Sequence, residues 1–358
     1  MPWNRLATVL IAATVAGAGT NASAQFQITS ADGKSSLNLG FLSQLQYEAV
    51  DNANATHAGQ NLFFRRLRVM AGGKINDKLT FFVETDSPNL GKLDSTTGKK
   101  IDSTIFIQDF YLTYTAAEAF KLDAGMLMVP VSHNSQQSAT SLATLDYGTF
   151  TFLHSDPINS KTGRDFGFQA RGYLAQDHLE YRLGVFEGNR GTDARGAMRV
   201  AGRLVLNVFD ADKGFFYTGT TLGKKHILSF GASCDRQEDY KAVSGDLVLD
   251  QPIGRDVLTL QGDYTRFDGG TFLRSLPKQD VILGEVSYYV HAAVGPFVQY
   301  NKREYKVAGF HDESKILGGI AWWGNGHKSN LKLAYAKMKK DGVPDRDQFI
   351  VQWQVLAY

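Results

Sequence analysis

From Ser36 onward the chain alternates apolar and polar residues with a period of two, the pattern of a β-strand with one greasy face and one wet face. Within Ser36 to Ala49 the odd positions include Leu37, Leu39, Phe41, Leu45 and Tyr47, while the even ones include Ser36, Asn38, Gln44, Gln46 and Glu48. Between Phe63 and Gly73, Phe63, Leu67, Val69 and Ala71 share the apolar face and Arg66 and Arg68 the polar one, with Arg65 interrupting the apolar side. Next come Leu79, Phe81 and Val83 against Lys78, Glu84 and Asp86, then Leu179, Tyr181, Leu183 and Val185 against Glu180 and Arg182. Later, Leu258, Leu260 and Tyr264 oppose Thr259, Gln261 and Asp263, and Leu331, Leu333 and Tyr335 oppose Asn330 and Lys332. The pattern predicts strands of about 9 to 11 residues, enough to cross a bilayer at a tilt and longer than the roughly five or six usual in a soluble sandwich.

The connections read as two kinds. Asn76-Asp77, Ala175 to His178, Ile253 to Arg255, His291-Ala292 and Gly324 to Ser329 are tight polar turns. Asn52 to Gln60, Pro88 to Asp102, Val129 to Gly163 and Asp268 to Gln279 are longer polar loops. Short turns on one side and long loops on the other describe an outer-membrane barrel. With both chain ends on the inner side the strand count must be even. Taking Phe209 to Lys225 as a long inner excursion gives about 16 strands, whereas reading Phe215 to Leu222 as a strand makes the count odd. The expected fold class is therefore all-β, a transmembrane antiparallel β-barrel.

The first residues agree with export. Arg5, the apolar run Leu6 to Ala18 and the small residues Ala22-Ser23-Ala24 form a signal peptide over residues 1–24, cleaved before Gln25. The run is too short for a membrane-spanning helix. Residues 25–358 are then the barrel domain, placed in a Gram-negative outer membrane among lipid and the outer-membrane assembly machinery. A mean hydropathy of -0.23 with 21% charged residues excludes a bundle of transmembrane helices. The single Cys234 excludes an internal disulfide, and a formal net charge of +2 gives no pointer to nucleic acid.

Several segments carry a family likeness. Phe63-Phe64-Arg65-Arg66-Leu67-Arg68, followed by Gly73-Lys74-Ile75 and Leu79-Thr80-Phe81, resembles the second and third strands of the phosphate-selective porin O and P family. Gly163-Arg164-Asp165-Phe166-Gly167 and Gly184-Val185-Phe186-Glu187-Gly188 are similar to its sixth and seventh strands. Ala201-Gly202-Arg203-Leu204, Leu222-Gly223-Lys224-Lys225 and Asp235-Arg236-Gln237 extend the likeness over almost the whole mature chain. The resemblance implies a homotrimer of 16-stranded barrels, each a diffusion pore narrowed by an inward-folded third extracellular loop. That constriction loop would occupy about 129–163. Phosphate-selective members carry a lysine in it, but Val129 to Ser160 holds neither Lys nor Arg, a departure that speaks against selective phosphate capture. The last strand departs as well. Tyr358 supplies a terminal aromatic, yet Phe349, Val351, Trp353 and Val355 occupy the opposite phase, so a bulge near Ala357 is expected to restore register.

By the alternation, the polar face of the first half carries Arg66, Arg68, Arg171, Arg182, Arg199 and Arg203, with Gln169 and Tyr173. These arginines, with His133, Asp146 and Asp156 from the loop, are the candidate pore-lining and constriction residues. Cations facing carboxylates would set up a transverse field that favours polar solutes and small anions, with a weak anion preference overall. Glu84, Asp86, Asp109, Asp123, Glu180, Asp263 and Glu285 also fall on the wet face and are expected to offset part of that charge. Two other functions compete: a porin for small neutral solutes such as amides or short sugars, and a non-conducting scaffold barrel. Tyr173, Phe186 and Tyr289 face inward without forming the aromatic stripe that sugars favour. Ser132, His133, Asp146 and His154 are the right types for a hydrolase, but no G-x-S-x-G elbow surrounds the serine. The eight histidines are scattered, so no catalytic residue, cofactor or metal is expected. Phe41, Tyr47, Phe63, Tyr264, Tyr288, Trp322 and Trp353 are expected to point outward as interfacial rings.

Overall fold

The computed structural model describes residues 26–51, 58–94, 97–102 and 104–358. The signal peptide expected over residues 1–24 lies outside the described residues. The strands are β1 (Phe26–Thr29), β2 (Ser36–Val50), β3 (Gly59–Lys74), β4 (Leu79–Asp86), β5 (Phe106–Ala117), β6 (Phe120–Met128), β7 (Arg164–Leu174), β8 (Leu179–Phe186) and β9 (Arg199–Asn207). They continue as β10 (Ile227–Gln237), β11 (Tyr240–Ile253), β12 (Asp256–Asp268), β13 (Gln279–Tyr289), β14 (Val294–Tyr305), β15 (Glu313–Trp322), β16 (Gly324–His327), β17 (Ser329–Lys340) and β18 (Val343–Ala357). One short helix, α1 (Ser155–Ile158), lies between β6 and β7.

Each barrel strand pairs antiparallel with its neighbours in sequence, and β18 closes the ring on β2 through Gln348–Ala357 against Phe41–Val50. Leaving out β1, a short extension along the start of β2, and β16, a four-residue strand before β17, the closed wall has 16 strands. Closure matters because a strand edge left in hydrocarbon would strand unpaired N–H and C=O groups. The excursion between β9 and β10 leaves the wall intact, since these two strands still pair from Val200–Arg236 to Asn207–Ser229. The outer surface is apolar where the alternation placed it: Leu183, Val185, Val200, Leu204 and Leu206 are exposed, while Arg182, Arg199 and Arg203 on the same strands are buried inside.

Three local expectations differ from what is observed. First, Gln44 pairs with Arg66 but Leu45 with Phe64, so Arg65 is a bulged extra residue. The extra residue shifts the side-chain phase beyond it: Phe63 is buried inside and Leu62 is exposed outside, reversing the expected outward Phe63. Second, β18 pairs with β2 without interruption to Ala357, so there is no bulge there. Tyr358 turns inward instead, edge-on to Phe82 at 6.1 Å between ring centroids. Gly40 and Gly72 make room for it, because a Cβ on Gly40 would lie 2.8 Å from the Tyr358 ring. Third, turn and loop lengths do not sort fully by side. The outer connections Glu238-Asp239 and Asp341-Gly342 are as tight as the inner turns, while the long inner excursion between β9 and β10 lies where it was expected.

Candidate pore and its lining

The inward arginines come in pairs with carboxylates rather than as a cationic stack. Arg68 donates to Glu84 at 2.6 Å and to Asp86 at 3.0 Å. Arg171 donates to Asp123 at 2.7 Å, and Arg182 to Glu180 at 2.6 Å. Arg199 holds Asp235 with two bonds of 2.7 and 2.6 Å and reaches Asp165 at 3.2 Å. Arg203 grips Asp246 with two bonds of 2.6 and 2.7 Å. A guanidinium fork matches a carboxylate in this geometry and each charge is largely cancelled by its neighbour. The expected separation of a cationic wall from a carboxylate loop is therefore not what the strands provide. Sign alternates along the wall itself.

Arg66 is the exception among the six. Its carboxylate comes from the segment between β6 and β7: Asp146 accepts from Arg66 Nη2 at 2.6 Å and from Arg65 Nε at 2.8 Å. The bulge explains the fork, because it turns two consecutive arginines toward one carboxylate. Burial pushes the Asp146 carboxyl up, but Arg65 and Arg66 outweigh it and hold it well below the usual carboxylate range. The same segment, residues 129–163, is bonded to inward side chains on the far arc of the wall. Gln44 of β2 donates to Ala139 O at 3.1 Å, Gln137 donates to Gln261 of β12 at 2.7 Å, and Lys332 of β17 donates to the carbonyls of Leu142 and Thr144 at 2.7 and 2.6 Å.

A second segment, residues 208–226, enters from the opposite end and meets the first. Tyr217 N donates to Gln136 O at 2.9 Å, Ser138 N donates to Tyr217 O at 2.8 Å, and Thr220 N donates to Ser141 O at 3.0 Å. Arg182 of β8 anchors it by donating to Phe215 O at 2.7 Å, with its guanidinium 4.3 Å from the Tyr217 ring centre. Phe215 stacks on Tyr111 of β5 at 3.9 Å. At its base, Asp212 accepts from the Thr218 hydroxyl at 3.1 Å, and burial pushes its carboxyl up to about 6. Phe215-Phe216-Tyr217 was the available sign in the sequence that this excursion packs indoors.

The remaining candidates from the loop separate. His133 is buried flat against Tyr217 at 4.7 Å, and burial pushes its imidazole down to about 3, so it is a neutral plate. Asp156 on α1 is exposed and forms no ion pair among the described residues. Ser132 Oγ accepts from Ser135 N at 3.2 Å, and His133 N donates to Asp246 at 3.2 Å; no hydrogen bond joins Ser132 to the His133 ring among the described residues. No group of three metal-ligating side chains occurs among the described residues.

Between residues 145–149 and the wall made by β14, β15, β18, β2 and β3 lies a cavity of about 280 Å³ at the outer end. Its charged lining is Arg65, Lys92 and Lys315 against Glu48 and Asp146. Lys92 pairs with Glu48 at 2.7 Å, but Lys315 has no carboxylate within salt-bridge distance among the described residues and donates only to Gln348 Oε1 at 3.2 Å. Lys315 was missed in the sequence because its strand begins Glu313-Ser314-Lys315, polar on both faces.

The family model described as phosphate-selective porin O and P matches residues 37–212. No curated protein matches the chain. Among solved structures, Salmonella typhi OmpF in complex with daunomycin is similar at 14% identity and a TM-score of 0.60, covering 92% of this chain and 100% of that one. An anion-selective porin from Comamonas acidovorans is similar at 13% identity and a TM-score of 0.58, covering 90% and 100%. The trimer form of Vibrio cholerae OmpT is similar at 10% identity and a TM-score of 0.56, covering 89% and 99%. These likenesses concern the fold.

Proposed function

We propose that this chain, whose residues 37–212 match the phosphate-selective porin O and P family, is an outer-membrane diffusion channel that passes small polar solutes and ions through a narrow, two-segment constriction with a weak preference for anions. Residues 129–163 act as the inward constriction loop, and residues 208–226 narrow the path from the inner side. The observation that carries the preference is the outer cavity, where three cations face two carboxylates, while the ladder arginines deeper in are each matched by a carboxylate. Permeation is set by the narrowest ring and by the charges on its approach, so a cationic outer mouth before an interior whose arginines are already paired gives modest selectivity. Among the described residues the interior arginines are paired with carboxylates and leave no free cation cluster of the kind selective phosphate capture requires. We read the functional unit as a homotrimer, the state in which the Vibrio cholerae neighbour is described. Export by a cleaved leader over residues 1–24 belongs to the same reading. The test is the reversal potential of the reconstituted protein in a potassium chloride gradient across a planar bilayer. A shift toward the chloride potential is expected; a shift toward potassium refutes the preference, and the absence of any current favours the scaffold alternative.

A further inference from the structure

On the outward face of β10 and β11 the apolar band ends in two adjacent cations. The outward residues of these strands pair in register from Phe230–Leu247 through Cys234–Val243 to Arg236–Lys241, just short of the tight outer connection Glu238-Asp239. Arg236 and Lys241 are both exposed. From Phe230 to Arg236 the strand rises roughly 20 Å, so the two cations stand at the outer edge of an apolar band about 25 Å tall, at the depth of lipid headgroups. Like charges directly opposite each other on paired strands are destabilising. Other cations on the outer rim carry a carboxylate: Arg266 holds Asp280 with two bonds of 2.7 and 2.9 Å, Lys306 reaches Glu304 at 2.6 Å, and Lys337 reaches Asp345 at 3.2 Å. Arg236 and Lys241 have no salt bridge and no side-chain hydrogen bond among the described residues. The carboxylates around them are engaged elsewhere. Glu238 accepts from Ala197 N at 3.1 Å, and Asp239 accepts from the amide and hydroxyl of Thr271 at 2.7 Å each and from Phe272 N at 2.9 Å. Asp268, across from Lys241 on β12, lies 3.7 Å from Lys278.

We propose that Arg236 and Lys241 dock the phosphomonoester headgroup of an outer-leaflet lipid, with an acyl chain lying down the apolar column below them. A phosphate monoester carries a charge of roughly -1.5 to -2 at neutral pH and three acceptor oxygens, which answers two cations side by side. Directly opposed outward side chains start about 5 Å apart at Cβ, so one phosphate can take both. A zwitterionic headgroup brings its own ammonium into the same repulsion. Phe230, Val243 and Leu247 are exposed beneath the pair, and burying them under a hydrocarbon chain adds hydrophobic stabilisation that a free anion does not provide. The bound lipid would tie β10 to β11 from outside and remove the repulsion between the two strands. This surface rests on the barrel's place in the membrane and is independent of what the lumen passes.

The test is native mass spectrometry of the full-length barrel in detergent, titrated with dioleoylphosphatidic acid, with dioleoylphosphatidylcholine, and with phosphatidic acid in the presence of inorganic phosphate. Both lipids lay the same chains on the wall, so a difference between them belongs to the headgroup. Phosphatidic acid is expected to bind about tenfold or more tighter than phosphatidylcholine, and the double variant Arg236→Gln, Lys241→Gln should lose about tenfold or more of that affinity. Lys339→Gln should leave it unchanged, because Lys339 is an exposed lysine that stands across from Ser314 rather than another cation. Equal binding of the two lipids, displacement of phosphatidic acid by an equal concentration of inorganic phosphate, or unchanged affinity in the double variant overturns the proposal. The comparison of lipids on the unaltered protein stands even if the double variant fails to fold. A barrel that prefers phosphatidic acid and carries no current refutes the channel reading alone; one that conducts and shows no such preference refutes this surface alone.

Discussion

Replacing Arg199 tests whether the arginine ladder is a set of buried pairs or a wetted charge track. Arg199 and Asp235 are fully buried and share two bonds of 2.7 and 2.6 Å, with Asp165 at 3.2 Å and the Tyr240 hydroxyl donating to Asp235 at 2.7 Å. Arg199→Met keeps most of the side-chain volume but removes the cation, leaving two carboxylates facing each other without it. Breaking one partner out of a buried pair costs about 3 to 5 kcal/mol, a drop of roughly two to three and a half powers of ten in the folded ratio. Adding Asp235→Asn removes one of the stranded charges and should recover at least half of the loss, giving a coupling of about 2 kcal/mol or more in a double-mutant cycle. The assay is urea unfolding in detergent or lipid, followed by circular dichroism and by heat-modifiable gel mobility. In the double variant reversal potentials should hardly move, because cation and carboxylate are removed together. If Arg199→Met keeps its stability and the channel turns sharply toward cations, the guanidinium is solvated and the paired interior is wrong.

Asp146→Asn removes the carboxylate that Arg65 and Arg66 share. At ~6 Å in water one charge is worth about 0.7 kcal/mol, so chloride should gain and potassium lose about threefold each, read as a reversal potential closer to that of chloride. Exchanging residues 211–224 for a tight turn should raise single-channel conductance about twofold or more by clearing one of the two meeting segments. Asp212 gives a pH signature: its carboxyl rises from 3.8 to about 6 when the 208–226 segment is docked. The docked state then holds a proton that the free segment releases, so docking is strongest below pH 4 and weakens as pH rises to about 6, by about a hundredfold at most. Conductance should therefore be lower at pH 4.5 than at pH 7.5, and Asp212→Asn should flatten that difference.

Much of the wall was legible because alternation is a local property. Arg171 and Arg182 sit in phase with Gln169 and Glu180, and all four are buried inside. The even strand number followed from topology, since the wall closes with its first strand, β2, antiparallel to its last, β18. What was not legible depends on register across strands. Whether Arg203 faces open water or Asp246 is decided by a pairing that runs from β9 through β10 to β11, and no property of Arg203 reports it. The Arg65 bulge left one trace, a cation on the greasy face, and its meaning was clear only once Gln44 and Leu45 were seen to skip a partner. His133 was grouped with the lining residues for its residue type, but its burial against Tyr217 depends on a contact between segments over 80 residues apart in sequence.

The inward Tyr358 makes the last residue of the chain a latch. Its ring fills a hollow that Gly40 and Gly72 leave empty and that Phe82 lines, so it holds together strands from the beginning and the end of the polypeptide. Without that ring β18 would still zip to β2, but with a hole where the first and last wall strands join. The cylinder is thus fastened twice at its seam, once by the backbone ladder and once by a plug, and Tyr358→Ala would loosen the second while leaving the first intact.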